Sequence, residues 1–195
     1  AFDDNIVLKG LMRRDDTVKG PDVKNIRVQN CVLWNDWGKP LKIGTETKAD
    51  SMTRIVIEDC DIVHFVHYAM DFFNGARAVI SHVTFNDIRI EEPITEKASI
   101  AETIYDPENL GRLVALDIQQ KREADTIRGK IEHIRYSNIN YLGSNYPTSL
   151  MRGHDEAHSI EDIQFENIII HGKKIQDLDD LLIDRNEFVS AVEIE

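Results

Sequence analysis

The 195-residue sequence predicts an all-β solenoid, a parallel β-helix of about six coils, and two interlocked repeats are what predict it. The first repeat is a phrase. Lys24-Asn25-Ile26-Arg27-Val28-Gln29-Asn30-Cys31-Val32-Leu33 returns as Thr53-Arg54-Ile55-Val56-Ile57-Glu58-Asp59-Cys60-Asp61-Ile62, and again from His82-Val83, His133-Ile134 and Asp162-Ile163. Its leading apolar residue stands at 26, 55, 83, 134 and 163, and self-similarity at such a period marks stacked repeats. Inside each copy apolar and polar residues alternate with the two-residue period of a strand, not the period of a helix. The second repeat follows about 15 residues after the first: Leu41-Lys42-Ile43-Gly44, Met70-Asp71-Phe72-Phe73 and Leu150-Met151-Arg152-Gly153, with a further copy at Leu116-Asp117-Ile118. Each coil thus supplies at least two strands, and stacked coils build two or three parallel sheets around an apolar interior.

Taken in order, Ala1 to Gly10 reads as the second strand of a coil whose first strand is missing, with Asn5-Ile6-Val7-Leu8-Lys9 as its strand. A bare terminal coil exposes apolar interior and unpaired strand edges. The expectation is therefore one β-helix domain over 1–195 that forms the C-terminal portion of a longer one. Its open end then needs either the missing N-terminal coils or another chain to cover it. The long step between 83 and 134 is explained by a loop insertion over 92–111, which is polar and carries Pro93 and Pro107. Asp177 to Asn186 reads as an acidic connection, and Glu187-Phe188-Val189-Ser190-Ala191-Val192 as the last strand. Asn30, Asp59, Asp87, Asn138 and Asn167 share one lane, where a short polar side chain bonds backbone at a bend or stacks on its neighbours. The next lane, Cys31, Cys60, Ile88, Ile139 and Ile168, points inward. Cys31 and Cys60 are then neighbours at strand spacing, either as two buried thiols or as a disulfide.

With 35 acidic against 23 basic residues and a net charge of −12, the chain lacks the basic footprint that nucleic acid and anionic membrane surfaces demand. No apolar run approaches the roughly 20 residues of a membrane span. His154-Asp155-Glu156-Ala157-His158 imitates a zinc helix, but the metalloprotease pattern needs Glu directly after the first His, and Asp155 is there. No metal or other cofactor is expected.

The chemistry is sought in carboxylates. Asp3-Asp4 precedes a strand, and two adjacent carboxylates in a desolvated cleft do not both ionise freely, so one is expected to hold its proton longer. That is what an acid/base pair for glycosidic cleavage requires. Asp15-Asp16 and Asp179-Asp180 read as solvated loop charges. Around the pair, Trp34 and Trp37 flank a turn one coil on, where an exposed indole stacks on a sugar and a buried one fills space. Gly38 and Pro40 mark Trp37 as the more exposed of the two. Lys42 and Asp71 take one outward position on successive coils, as a substrate-binding row or as a solvated ion pair. His64 and His67 could position a sugar hydroxyl or water, or be structural, and Glu46 adds a further carboxylate.

Asp3-Asp4-Asn5-Ile6-Val7-Leu8-Lys9, Trp34-Asn35-Asp36-Trp37-Gly38-Lys39-Pro40-Leu41-Lys42-Ile43-Gly44 and Asp61-Ile62-Val63-His64 carry a family resemblance. The sequence resembles the pectin-lyase-like right-handed parallel β-helix superfamily, and within it the polygalacturonase-like and dextranase/isopullulanase-like glycoside hydrolases. The resemblance covers nearly the whole chain as a repeat pattern, with its specific motifs in about the first 75 residues. It implies a right-handed helix and a polysaccharide or oligosaccharide substrate hydrolysed with inversion, with Asp3 and Asp4 catalytic. It also implies a secreted or periplasmic location. The polygalacturonase Gly-His-Gly and Arg-Ile-Lys runs are not found here, and the families' further Asp, one coil upstream, lies outside this sequence. Without those basic residues the expected glycan is neutral or only partly charged. Two other functions stand beside hydrolysis: a non-catalytic carbohydrate-binding or scaffold β-helix, and a polyuronate lyase or epimerase.

Overall fold

The computed structural model of the chain describes residues 3–10, 20–93, 111–120 and 126–195. Among these residues the fold is all-β, apart from one 3-10 turn at Leu178–Leu181. The strands are β1 Ile6–Leu8, β2 Val23–Trp34, β3 Leu41–Thr45, β4 Ser51–Phe65, β5 Tyr68–Asn74, β6 Val79–Pro93 and β7 Arg112–Ile118. They continue as β8 Lys130–Tyr141, β9 Ser149–Arg152, β10 Ile160–Ile170, β11 Lys173–Lys174, β12 Ile183–Arg185 and β13 Val189–Ile194. The chain deals them alternately into two sheets. One has six strands in the order β1-β3-β5-β7-β9-β12; the other has seven, running β11-β10-β8-β6-β4-β2 with β13 also on β10. Every pairing is parallel except the β10–β11 hairpin.

The register follows the repeat. Ile26, Ile55, Val83, Ile134, Ile163 and Val192 face one another down the seven-stranded sheet, as do Cys31, Cys60, Ile88, Ile139 and Ile168. Their side chains enter one continuous apolar core shared with Ile43, Phe72, Leu116 and Met151 of the six-stranded sheet. Each fully buried aliphatic side chain contributes about 1.5–3 kcal/mol. A column of rings reinforces the core: Phe85 stacks on Tyr136 at 5.2 Å and Tyr136 on Phe165 at 5.0 Å, all near parallel.

The long strands bend where the sequence places short polar residues. Asn30, Asp59, Asp87, Asn138 and Asn167 all adopt φ between 50° and 55°, a left-handed conformation that Asn and Asp tolerate better than other side chains. Asn167 Nδ2 donates to Asn138 Oδ1 at 2.8 Å, and Asn138 Nδ2 to Asn86 Oδ1 at 2.9 Å. A second left-handed lane, Asn25, Arg54, His82, His133 and Asp162, has no comparable signature in the sequence. It is held laterally: Arg54 Nε donates to Asn25 Oδ1 at 2.7 Å, the His82 and His133 rings lie 4.8 Å apart, and His133 Nδ1 bonds Asp162.

Three expectations need correction. Leu150 was aligned with Leu41 and Met70, but its partner is Ala115, and it faces outward while Met151 takes the core position opposite Leu116. A one-residue slip in a period of two reverses the face. The acidic connection from Asp177 to Asn186 contains the 3-10 turn and strand β12, paired with β9, and the last strand runs Val189–Ile194. The insertion assigned to 92–111 loses its first two residues to β6, which extends to Pro93; 94–110 lie outside the described residues, as do Asp15 and Asp16. Asp179 and Asp180 sit in the 3-10 turn, where the Asp179 N–H bonds Asp177 Oδ1 at 3.0 Å.

Candidate functional site on the six-stranded sheet

Asp3 and Asp4 are set against the turn that links β2 to β3. Asn5 and Ile6 donate backbone N–H groups to Lys39 O and Pro40 O at 3.0 and 3.1 Å, which starts the β1–β3 ladder. Asp4 Oδ1 accepts the Lys39 N–H at 2.9 Å, and Asp3 Oδ1 accepts the N–H of Asp4 at 2.7 Å. Asn35 Nδ2 ties down Asp3 O at 2.7 Å, and Asn5 Nδ2 reaches Trp34 O at 3.0 Å. The turn approaches so closely that a Cβ on Gly38 would lie 2.4 Å from Asp4 N. Neither carboxylate is buried: Asp3 is exposed and Asp4 half-buried.

Lys42 and Asp71 share a register position on β3 and β5. Their neighbours Leu41, Ile43, Met70 and Phe72 all enter the core, so strand alternation turns Lys42 and Asp71 to the outer face. They are not solvated there. Lys42 Nζ lies 3.4 Å from Asp71 Oδ2, with side chains only 10% and 4% exposed. Burial pushes the Asp71 carboxyl up, Lys42 and Lys39 pull it down, and the Asp4 charge adds a further upward push.

Other ionisable groups crowd the same face. His67 is buried against Tyr68, ring to ring at 3.8 Å. Burial, followed by the cations Lys39, Lys42 and Arg112, drives its imidazole down to about 2. Burial raises the Tyr68 phenol to about 12. Asp117, between the core residues Leu116 and Ile118, faces outward like Asp71. Burial lifts it to about 6, with Asp71 adding to the rise while Gln119 and Arg152 oppose it. Tyr68, Ala115 and Leu150 form a small apolar cluster on this face.

The remaining candidates divide between places. Trp34 is 54% exposed and stacks on His64 at 4.4 Å, with Nε1–H donated to Asp36 Oδ1 at 2.9 Å. Trp37, expected to be the more exposed indole, is half-buried. His64 and His67 therefore belong to different neighbourhoods, one with Trp34 and one with the cations around Lys42. Glu46 pairs with Lys9 at 2.9 Å. Cys31 and Cys60 are opposite each other and are both free thiols. Burial raises Cys60 to about 11. At the zinc-like segment, His158 Nδ1 lies 2.7 Å from Asp155 Oδ1 in the link between β9 and β10.

Sequence reasoning did not single out Lys39, Tyr68, Arg112, Asp117 or Arg152. For Asp117 a signal existed, because an acid between two core residues repeats the Met70-Asp71-Phe72 pattern. For Lys39, Tyr68 and Arg112 there was none, since only their convergence on His67 marks them. Comparison of the chain with protein-family models, curated proteins and solved structures gives no match.

Proposed function

We propose that the chain forms a right-handed parallel β-helix of the pectin-lyase-like kind, about six coils long, and that it hydrolyses a glycosidic bond in a polysaccharide. The reaction is inverting. One carboxylic acid protonates the leaving oxygen as the C1–O bond breaks, and a second carboxylate takes a proton from the water that attacks C1. Asp3 and Asp4 are the carboxylates assigned to this work by the family resemblance. The observation that carries the reading is the buried Lys42–Asp71 pair on the outer face, coupled to Asp4. A buried ion pair is a poor source of stability, and on a sheet face outside the core it is better explained by a ligand. Clusters of perturbed ionisable groups of this kind mark functional sites.

The local charge also bears on the substrate. Although the chain is acidic overall, Lys39, Lys42 and Arg112 act together on His67. Asp4, Asp71 and Asp117 lie among the same cations and balance them, which supports the neutral or only partly charged glycan expected from the missing motifs. A secreted or periplasmic location is proposed on the family resemblance alone. A second reading, a binding β-helix without catalysis, is favoured by the engagement of the Asp71 carboxylate with Lys42. Reducing-sugar release across acidic and neutral polysaccharides separates the two. Hydrolysis predicts release from one glycan, lowered at least 100-fold by Asp3→Asn or Asp4→Asn at unchanged thermal stability. Binding without release by any of the three proteins would establish the second reading.

A further inference from the structure

We propose that two adjoining cavities beside β11 and β12 hold two successive pyranose rings of a neutral glycan chain, remote from the Asp3–Asp4 turn. The first, of about 290 Å³, is walled by Tyr146, Ile170, Ile175 and Leu182, and the charged Lys173, Asp179 and Asp180 complete its lining. The second, of about 230 Å³, is formed by Leu178, Leu182 and Ile183 with Asp179 and Arg185. Asp179 and Leu182 belong to both cavities and so form the ridge between them. Together the two reach the size of a small-molecule site. β12 stands five strand steps from β1 in the six-stranded sheet, roughly 24 Å at strand spacing.

Each cavity repeats one plan: an apolar wall, one cation, and the shared Asp179 carboxylate. Elsewhere exposed arginines find partners, as Arg89 does in Asp61 and Arg152 in Asp184. Lys173 and Arg185 make no side-chain hydrogen bond or ion pair with any described residue, and neither do the Asp179 and Asp180 carboxylates, although they line the same cavities. Donors and acceptors are thus both unsatisfied there. A pyranose supplies the complement, an apolar C–H face ringed by hydroxyls that donate and accept. A linear glycan repeats that unit and narrows to one oxygen between rings, which suits the ridge. Because Asp179 faces both cavities, a chain with a carboxylate on every ring is disfavoured. The lining is preformed, so little ordering opposes binding. Tyr146 Oη donates to Asp180 O at 2.7 Å, and the Leu182 N–H bonds Asp179 O at 3.2 Å. Leu182 is held at φ 45°, a costly conformation for a leucine, and still leaves its side chain 49% exposed at the ridge. The assignment rests on the glycan reading above and goes beyond it, because a groove holds sugar whether or not a bond is cut.

Methyl-labelled isoleucine and leucine NMR tests it. The full chain carrying Asp3→Asn, so that a hydrolase would not consume the ligand, is titrated with hexasaccharides of glucose, xylose and galacturonate. The expected result is a saturable shift of the Ile175, Leu182 and Ile183 methyls with at least one of the two neutral sugars. On the same background, affinity for that sugar is expected to weaken roughly tenfold in Tyr146→Ala. Tyr146→Phe, which keeps the ring, should stay within about twofold, and Lys173→Ala and Arg185→Ala should each weaken binding about threefold. Shifts confined to methyls of other regions, unchanged affinity in Tyr146→Ala, binding of galacturonate alone, or no binding of any of the three sugars would overturn the proposal. Release of reducing sugar by the wild-type chain is scored separately. Binding at these methyls without release sinks only the hydrolase reading, and release without binding there sinks only the groove.

Discussion

On the outer face of the seven-stranded sheet, charges from neighbouring repeats pair in the open. Arg89 meets Asp61 at 2.8 Å, Lys130 meets Glu161 at 2.9 Å, and Arg27 bonds Glu58. Their exposures are those of surface groups, 47% and 32% for Arg89 and Asp61. On the outer face of the six-stranded sheet the equivalent pair, Lys42 and Asp71, is almost wholly desolvated, and a buried histidine and tyrosine lie next to it. Both faces belong to parallel ladders of one chain, with similar residue types. The contrast teaches that the first set is the ordinary decoration of a stacked sheet, worth little per pair. The second costs desolvation and so calls for a function.

The largest expected effect breaks the buried pair. Asp71→Ala leaves the Lys42 cation without its partner and should cost about 3–5 kcal/mol in urea unfolding. Arg89→Ala, on the other sheet, should cost less than about 1 kcal/mol. Equal costs would erase the distinction between the faces.

The next effect is a pH dependence. The unfolded chain protonates His67 below 6.5, whereas the folded chain resists until about 2. Stability therefore falls as pH drops from 6.5, with a slope approaching about 1.4 kcal/mol per pH unit. Asp117 acts in the opposite direction. Its folded carboxyl is raised from 3.8 to about 6, so its contribution is full below the lower value and is lost as pH rises through the upper one. The two slopes oppose each other between those pH values. Asp117→Asn should expose the full acid sensitivity of His67, and His67→Gln should remove it. Urea midpoints from pH 4 to 7 check this, and parallel curves for all three proteins would refute it.

A smaller effect sharpens the link between the turn and the carboxylates. Gly38→Ala must displace Asp4, whose N would meet the new Cβ at 2.4 Å. It should cost about 1–3 kcal/mol and lower glycan cleavage more than that loss of stability accounts for. The smallest effect belongs to the thiols: Cys31 is half-buried and outside any disulfide, and Cys31→Ser, which keeps a donor for Gln29 O, should leave the thermal midpoint within about 2 °C.

Much of the architecture was legible because strands that repeat at a fixed period and pair in parallel write their register into that period. Ile26, Ile55, Val83, Ile134 and Ile163 lead successive copies of the repeat and are aligned in space. The left-handed bends at Asn30 and its lane were legible too, since Asn and Asp announce them. Those at Arg54, His82 and His133 were not, because lateral bonds rather than local propensity hold them. Leu150 was misplaced because Leu150-Met151 offers two adjacent apolar residues, and only the sheet decides which one enters the core. At the site, outward placement of Lys42 and Asp71 followed from alternation. Their burial did not, since it depends on what packs over the face. The greater exposure of Trp34 over Trp37 was likewise hidden, because Gly38 marks close approach to Asp4 rather than an open loop.

The most direct test replaces the buried pair as a unit. In the Lys42→Met, Asp71→Leu double variant, thermal stability and cleavage of the wild-type substrate are measured side by side. The account predicts a stability equal to or above that of the wild type, because apolar residues remove the desolvation cost, together with cleavage lowered at least 100-fold. Cleavage retained at the wild-type level would show that this face is not the site of the reaction and contradict the account.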